Sequence, residues 1–283
     1  MRGDRLLRLL LASVIVGAGA SCSEPPPGSL ARLPSPWPPD DAAIVRKALK
    51  AELRTVTLTN CTLRRYGNDN DGGYLMCGNL SQGVESAYSY GIRSEDTWGC
   101  DVANQSKVPI HQYDCFTDER PTCEGGQFIF HDECVGPKQE TLDGNLFDTV
   151  ASQIAKNGDT GKRLLVKMDI EGAEWASLMA MPDDALDQIV QLPMEFHGTD
   201  DPKFVELVRR LKQKFYLVNL HYNNYQCGSP SVPLPSSAFQ VLWVNKKVGT
   251  LDPDGPSPAP QSPLNMPDNP KARDCQVLDE ERQ

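Results

Sequence analysis

The stretch LLVKMDIEGAEWASLMA, residues 164–180, decides the fold class. Its first half is an apolar run, interrupted by one lysine, that ends at Asp169. Such a run is typical of a central parallel strand that is covered on both faces. Its second half predicts a helix, and Gly172 permits a tight turn between the strand and the helix. A strand followed directly by a helix is the repeating unit of an α/β domain.

The segments on either side continue this alternation of strands and helices. The pattern predicts strands at 87–92, 108–113, 127–135, 164–169, 189–196, 216–222 and 239–244, and helices at 42–53, 146–156, 173–180 and 203–214. We therefore predict a doubly wound α/β sheet. Sheets of this kind bind their ligands at the carboxyl ends of the strands.

The N-terminal residues have the pattern of an export signal. Three arginines precede an apolar run at residues 9–20, which ends in small residues and is too short to cross a membrane as a helix. Residues 1–22 are therefore predicted to be a signal peptide, with a short uncleaved anchor as the alternative. Ala20-Ser21-Cys22 also fits a bacterial lipoprotein, in which Cys22 would carry the lipid.

Two proline-rich segments flank the predicted domain. Residues 23–41 predict an extended stem, because a proline-rich run forms neither a helix interior nor a sheet interior. Residues 42–249 form the predicted folded domain. Residues 250–283 predict an irregular, proline-rich tail, which Cys275 is expected to attach to the domain.

The cysteine content indicates an oxidising compartment. The chain has nine cysteines. If Cys22 carries a lipid or pairs elsewhere, the other eight predict four disulfides, whose pairing the sequence does not determine. No C-x-x-C pair occurs, so the spacing does not predict a zinc site. Glycosylation sequons at Asn60, Asn79 and Asn104 favour a eukaryotic secretory protein, lumenal or extracellular, over the bacterial alternative.

The charge of the chain excludes one class of partner. The formal net charge is −10 at pH 7, and no basic run interrupts the acidic composition. An acidic surface repels phosphate backbones, so nucleic acid is not expected as a substrate or partner. A small-molecule or glycan acceptor is expected instead, with membrane contact only through an uncleaved anchor or a lipidated Cys22.

Polar residues lie at the ends of six of the predicted strands. Because unpaired buried charge is costly, carboxylates at successive strand ends are more typical of a ligand cleft than of a core. The set comprises Ser89, Tyr90 and Gly91, then Asp114, then His131, Asp132 and Glu133, then Asp169, Ile170, Glu171 and Gly172, then Glu195, Phe196 and His197, and finally His221, Tyr222, Asn223 and Asn224.

The string KMDIEGAEWASL, residues 167–178, resembles the D-[IV]-E-G-x-E-W signature of FkbM-type S-adenosylmethionine-dependent methyltransferases. The fragments DGGYLMC, AYSYGI and PMEFHG resemble the divergent secretory branch of that group, and the resemblance spans residues 66–244. It implies a class I methyltransferase (Rossmann-like) sheet of seven strands, with the last strand antiparallel. It also implies S-adenosylmethionine as cofactor and O-methylation of a hydroxyl on a glycan or other small acceptor.

The resemblance also implies roles for individual residues. Ser89, Gly91 and Ile92 match the loop under the methionine part of the cofactor, and Asp114 matches the acidic residue that accepts hydrogen bonds from the ribose. Because Gly91 has no Cβ, it is expected to let the ligand approach closely. Asp132 is assigned to the same cofactor site. The loop SYGIRSEDTWG, residues 89–99, departs from the family pattern because it lacks the Gly-x-Gly-x-Gly of ordinary methyltransferases.

The second half of the motif supplies the expected catalytic residues. Asp169 is expected beside the transferred methyl group, and Glu171 shares its face if the strand stays extended for two more residues. A carboxylate at Glu174 suits the positive end of the following helix, and Trp175 is expected to serve packing.

Removing the acceptor proton requires a base, and Asp169, His197 and His221 are the candidates because each lies near the end of a predicted strand. A histidine suits this role because its ordinary pKa lies near neutrality. The predicted catalytic set is thus Asp169, Glu171, His197 and His221. A metal-assisted version is also open, in which Asp169, Glu195 and His197, with Asn223, hold magnesium, calcium or manganese.

Two alternatives to an active methyltransferase remain open from the sequence. A secreted, disulfide-stapled binding protein that retains the fold without catalysis would explain the atypical loop at residues 89–99. A nucleotide-sugar-using transferase would explain a cluster of carboxylates in the secretory pathway. The identity of the nucleotide-like ligand that binds distinguishes these two alternatives from an active methyltransferase.

Overall fold

The computed structural model describes residues 39–228, 231–255 and 262–277. The predicted signal peptide, the lipoprotein site at Cys22 and most of the predicted stem lie outside these residues. The predicted stem ends earlier than expected, because helix α1 begins at Pro39 and includes its last three residues. No helix in the described part of the chain is long and apolar enough to cross a membrane.

Strands and helices alternate along the chain, as the sequence predicts. In chain order they are α1 (Pro39–Glu52), β1 (Leu63–Tyr66), β2 (Tyr74–Cys77), β3 (Ser86–Tyr90), α2 (Thr97–Ser106), β4 (Pro109–Tyr113), β5 (Gln127–His131), β6 (Cys134–Val135), β7 (Glu140–Leu142), β8 (Asn145–Asp148), α3 (Val150–Lys156), β9 (Leu164–Met168), α4 (Glu174–Ala180), α5 (Asp183–Gln188), β10 (Ile189–His197), α6 (Pro202–Lys214), β11 (Phe215–Tyr222), a short 3-10 helix (Asn224–Gln226) and β12 (Ala238–Asn245).

The central sheet has seven strands in the order β11-β12-β10-β9-β3-β4-β5. β12 runs antiparallel to β10 and to β11, whereas the pairs from β10 to β5 are parallel. The predicted seven-stranded, mostly parallel sheet is therefore confirmed, and this arrangement is compatible with a Rossmann-like fold. The parallel pairing brings the carboxyl ends of β3, β4, β9 and β10 to one edge.

The two faces of the sheet are covered by different elements. Helices α1, α4 and α6 pack on one face over a core that includes Leu49, Leu178 and Leu211. The β1–β2 hairpin and α2 cover the other face, over a second core that includes Met76 and Trp98. Because both faces are covered, the central strands β3 and β9 are buried along their whole length, as the continuous run at β9 predicts.

Two predicted elements differ from the structure. The single strand predicted at 127–135 is wrong, because the chain leaves the central sheet after β5 and β6 pairs with β8 in a separate three-stranded sheet. The helix predicted at 146–156 begins too early. Its first residues form β8, and the helix starts after Thr149, whose Oγ1 accepts a hydrogen bond from the backbone N–H of Ser152 at 3.2 Å.

Four disulfides link the eight cysteines outside Cys22, as the even count predicts. The pairs are Cys61–Cys77, Cys100–Cys123, Cys115–Cys134 and Cys227–Cys275. The last pair joins the C-terminal tail to the segment after β11, so the expected attachment through Cys275 is confirmed. Four disulfides are typical of proteins that fold in the secretory pathway.

A buried histidine network predicts loss of stability in acid. His111 Nδ1 lies 3.0 Å from His131 Nε2, and His111 stacks on Tyr88 with ring centroids 4.9 Å apart. Burial lowers the pKa of His111 to about 4, although the negative charge of Asp159 opposes that effect. The folded pKa lies below the unfolded value, so this contribution is complete above about pH 6.5 and decreases as the pH falls towards 4.

We expect the wild type to lose about 2.5 kcal/mol more unfolding free energy between pH 8 and pH 4.5 than the variant His111→Phe, which keeps the stacking ring. Urea denaturation at both pH values measures this difference. Equal losses in the two proteins would contradict the assignment of the acid sensitivity to His111.

Candidate functional site

Polar side chains converge at the carboxyl edge of the central sheet. Met168 of β9 pairs with Met194 of β10, so Asp169 and Glu195 follow on neighbouring strands. Glu195 in turn is registered with Gln240 of β12, and Gln240 with His221 of β11. A row of polar residues therefore crosses this edge, on the side of the sheet where the C-terminal tail lies.

Four carboxylates, Asp71, Asp169, Glu195 and Asp268, form what we call the carboxylate cluster. Single ligand atoms of Asp169, Glu195 and His197 lie within 4.8 Å of one another, and so do those of Asp71, Glu195 and Asp268. Glu195 belongs to both groups and is buried. Burial, with the charge of Asp169, raises the pKa of Glu195 well above its ordinary value. The first group is the set for which the sequence predicts a metal.

His197 lies among carboxylates on all sides. Its Nδ1–H donates to Glu174 Oε1 at 3.1 Å, and its Nε2 lies 3.7 Å from Glu195 Oε1 and 4.0 Å from Asp169 Oδ1. Burial acts to lower the pKa of His197, but the hydrogen bond to Glu174 and the surrounding negative charges outweigh it and raise the pKa to about 10. At neutral pH His197 is an imidazolium, which is a proton donor and a counter-charge rather than a base.

The Glu174 carboxylate organises the turn after β9. Its oxygens accept hydrogen bonds from the backbone N–H groups of Ile170, at 2.8 Å, and Gly172, at 3.0 and 3.2 Å, and the side chain is fully buried. The next residue, Trp175, donates its indole N–H to the carbonyl of His197 at 2.7 Å. Glu174 and Trp175 thus fix the turn and the imidazolium segment through hydrogen bonds.

Asp169 lies beside the loop after β3 and is partly open to solvent. Its side chain is 20% exposed, and the Tyr74 hydroxyl donates to Oδ2 at 2.8 Å. Burial and the charge of Asp169 raise the pKa of Tyr74 well above its ordinary value, so this hydroxyl keeps its proton. Lys167 lies 4.0 Å from Asp169 and donates to the carbonyls of Tyr90 and Gly91, at 3.2 and 2.5 Å.

The expectation that Glu171 continues the extended strand is wrong. Its φ of +56° places it in the left-handed region, inside the turn that Glu174 holds. From there the Glu171 carboxylate pairs with Arg93, which has a φ of +50° in the loop after β3. The ion pair joins the two loops at the rim of the site. Left-handed non-glycine residues cost free energy and cluster at functional sites.

The predicted cofactor residues differ in accessibility. Gly91 has a φ of +74°, and a Cβ there would collide with the carbonyl oxygen of Asp169, so this glycine allows the loop to pack on the end of β9. This differs from the sequence expectation, in which the missing Cβ makes room for a ligand. Ser89 is fully buried with its Oγ unpaired among the described residues, and Ile92 is buried as well.

Asp114 supports the same loop from the end of β4. Its Oδ2 accepts the backbone N–H groups of Ile92 and Arg93, at 3.1 and 2.9 Å, and Oδ1 accepts that of Phe116 at 2.9 Å. A carboxylate offers about four acceptor positions, so one position on Oδ1 is left for a ligand hydroxyl. Asp132, by contrast, is exposed beyond the edge strand β5 and lies 3.8 Å from Arg120.

His221 belongs to the packing of the tail rather than to the surroundings of Asp169. It is fully buried, its Nε2 lies 3.0 Å from Asp274 Oδ2, and burial lowers its pKa. Asn223 does reach the carboxylate cluster, but its amide N–H donates to Glu195 Oε1 at 2.6 Å. Its carbonyl oxygen accepts the N–H of Tyr225, so Asn223 positions Glu195 instead of presenting a ligand oxygen.

Three residues of the site, Asp71, Tyr74 and Asp268, have no role assigned from the sequence. Asp71 and Tyr74 lie in the DGGYLMC fragment, which supports the family resemblance but gives no indication of what these two side chains do. Asp268 lies in the proline-rich tail, and only the folded chain shows that its side chain is buried beside Glu195.

Comparison with known proteins leaves the family assignment a prediction. No protein-family model and no curated protein matches the chain.

Proposed function

We propose that the chain is an S-adenosylmethionine-dependent O-methyltransferase that acts on a hydroxyl of a glycan or other small acceptor. The observation that carries this proposal is the contact between Asp169 and the loop after β3. The backbone N–H of Asp169 donates to the carbonyl of Tyr90 at 3.1 Å, directly before Gly91. A residue able to accept a proton therefore adjoins the loop on which the resemblance places the methyl donor. The antiparallel β12 between β10 and β11 agrees with the class I methyltransferase sheet that the resemblance implies.

The side chains at this edge of the sheet fit the cofactor in two respects. The free acceptor position on Asp114 Oδ1 suits a ribose hydroxyl at the end of β4. The sulfonium of S-adenosylmethionine is positively charged, and the carboxylates at this edge favour a cation over an anionic nucleotide. Asp114 and the backbone of residues 91–93 would hold the cofactor. The buried Ser89 would act only by supporting that loop.

Methyl transfer from a sulfonium requires alignment and the removal of one proton. The cofactor, when bound, supplies an electrophilic methyl group. Asp169 would accept the proton as the acceptor oxygen forms its bond to carbon and the bond between sulfur and carbon breaks. Tyr74 orients Asp169 by its hydrogen bond to Oδ2, which leaves Oδ1 for the acceptor hydroxyl. Imidazolium His197 balances the negative charge around Asp169.

A methyl-transfer assay tests the proposed function. The oxidised, secreted chain would be incubated with S-adenosylmethionine labelled in the methyl group and with a panel of glycans and small hydroxylated molecules. Label that enters an acceptor with equimolar release of S-adenosylhomocysteine would support the proposal. If the folded protein binds the cofactor or an acceptor but transfers no label with any of them, the non-catalytic binding protein becomes the better account.

Asp114→Asn is expected to weaken S-adenosylmethionine binding by about tenfold. The amide has no charge, and an NH₂ group replaces one of the two oxygens that accept hydrogen bonds from the loop and from the ribose. The rate at saturating cofactor is expected to change by less than about threefold, because Asp114 does not contact the reacting atoms. Asp118→Asn, four residues on and exposed, is the matched control. Equal affinity in the two variants would contradict the assignment of Asp114.

A further inference from the structure

We propose that Asp71, Glu195 and Asp268 form a binding site for a hard divalent cation, with calcium as the best fit. The inference does not depend on methyl transfer, because the site is argued from its own ligand atoms. It places the ion on the tail side of the carboxylate cluster, where Glu195 is shared with the group of Asp169, Glu195 and His197.

The spacing of the three carboxylates suits calcium. One oxygen from each lies within 4.8 Å of the other two. Two oxygens that coordinate one ion at about 2.4 Å are at most about 4.8 Å apart, and calcium takes oxygen ligands at about 2.3–2.6 Å. Magnesium gives up its bound water reluctantly and rarely uses a site built only from protein ligands, so three protein carboxylates favour calcium. Asp71 is exposed, so water molecules have access to complete the coordination sphere.

A second observation comes from the buried carboxylate of Asp268. Its side chain is fully buried, and Oδ1 accepts a hydrogen bond from Gln240 at 2.8 Å. Oδ2 has no hydrogen-bond partner among the described residues, and the nearest basic nitrogen recorded for it is His221 Nδ1, at 3.8 Å. Leaving a buried carboxylate oxygen without a partner costs free energy, and a bound cation would supply that partner.

The distribution of positive charge separates the two groups that share Glu195. The group with Asp169 already contains His197, whose Nε2 faces the carboxylates and supplies a counter-charge. The group with Asp268 has Arg65 nearby, but the Arg65 Nε–H and Nη2–H donate to the carbonyls of Asn68 and Asn70, at 2.7 and 2.6 Å. Arg65 therefore holds the loop that carries Asp71. Its Nη1 is buried without a hydrogen-bond partner among the described residues, and its charge offsets part of the negative charge of Asp268.

The proposed ion joins three distant parts of the chain. Asp71 precedes β2, Glu195 lies on β10, and Asp268 lies in the tail that the Cys227–Cys275 disulfide attaches. Binding at this site would hold the tail against the sheet edge. We therefore expect bound calcium to raise the melting temperature of the protein.

Calorimetry of the full oxidised chain, freed of metal with a chelator and studied without S-adenosylmethionine, tests the site. Calcium, added as calcium chloride, is expected to bind with a stoichiometry of one ion per chain. Asp268→Asn and, separately, Asp71→Asn are expected to weaken binding at least about tenfold, because each removes one of three charged ligands. The exposed tail residue Asp254 provides the control, and Asp254→Asn is expected to bind calcium as the wild type does.

Asp71→Asn keeps the test decisive if Asp268→Asn fails to fold, because Asp71 is exposed. If the folded wild type binds no calcium at a concentration of about 10 mM, the proposed site is overturned. Binding that survives Asp268→Asn and Asp71→Asn but is lost in Asp169→Asn would also overturn it, by placing the ion with His197. Because no methyl donor is present, failure here is distinct from failure of the proposed function.

Discussion

Replacing Asp169 with asparagine is expected to lower the rate of methyl transfer by about 10²–10⁴-fold, the usual contribution of a general base. The amide has the same shape and can still accept the Tyr74 hydroxyl hydrogen bond at its oxygen, so the site should keep its geometry. It cannot take up the proton of an acceptor hydroxyl. Affinity for S-adenosylmethionine is expected to stay within about threefold of the wild type.

Steady-state kinetics at saturating cofactor, together with direct cofactor titration, measure the two effects separately. Asp118→Asn, an exposed residue after β4, controls for the loss of one carboxylate and is expected to retain full activity. A loss of cofactor affinity that matches the loss of rate in Asp169→Asn would instead make Asp169 a binding residue.

Truncating Trp175 to alanine is expected to destabilise the protein by about 3–5 kcal/mol. The indole stacks between Phe196 and Phe204, with ring centroids 3.9 Å from each, and 5% of the residue is exposed. Alanine would leave a cavity between α4 and β10 and remove the hydrogen bond to the carbonyl of His197. Urea denaturation of both oxidised proteins measures the difference.

Trp175→Phe separates packing from hydrogen bonding at this position. It keeps a stacking ring and loses the indole N–H, so a smaller loss of about 1–2 kcal/mol is expected. Phe116→Ala, in which the side chain is 81% exposed, is expected to change stability by less than about 0.5 kcal/mol. A Trp175→Ala variant as stable as Phe116→Ala would contradict the packing role.

Strands with strong local signals could be predicted from the sequence. β9 is an apolar run, and β10, β11 and β12 are similarly rich in apolar and aromatic residues, because strands inside a covered sheet contact apolar groups on both faces. The β1–β2 hairpin was not predicted, because LRRY carries two arginines and resembles a loop. Its strands are held by pairing and by the Cys61–Cys77 disulfide rather than by a local pattern.

The candidate site could be predicted only where it lies on strand ends. Asp169, Glu195 and His197 lie at the ends of predicted strands, and parallel pairing brings them together. The charge state of His197 depends on Glu174 and Glu195, which approach it only in the folded chain, so its candidacy as a base could not be judged from the sequence. Asp268 approaches Glu195 through a long-range contact of an irregular tail, for which the sequence carries no period or spacing.

Titration of the folded, oxidised chain with S-adenosylmethionine tests the central claim most directly. A nucleotide sugar, titrated in the same buffer with calcium present, serves as the comparison ligand. We predict micromolar binding of S-adenosylmethionine, weakened in Asp114→Asn, and no measurable binding of the nucleotide sugar. A folded protein that gives no heat with S-adenosylmethionine, or that binds only the nucleotide sugar, would contradict the assignment of the carboxyl edge as a methyl-donor site.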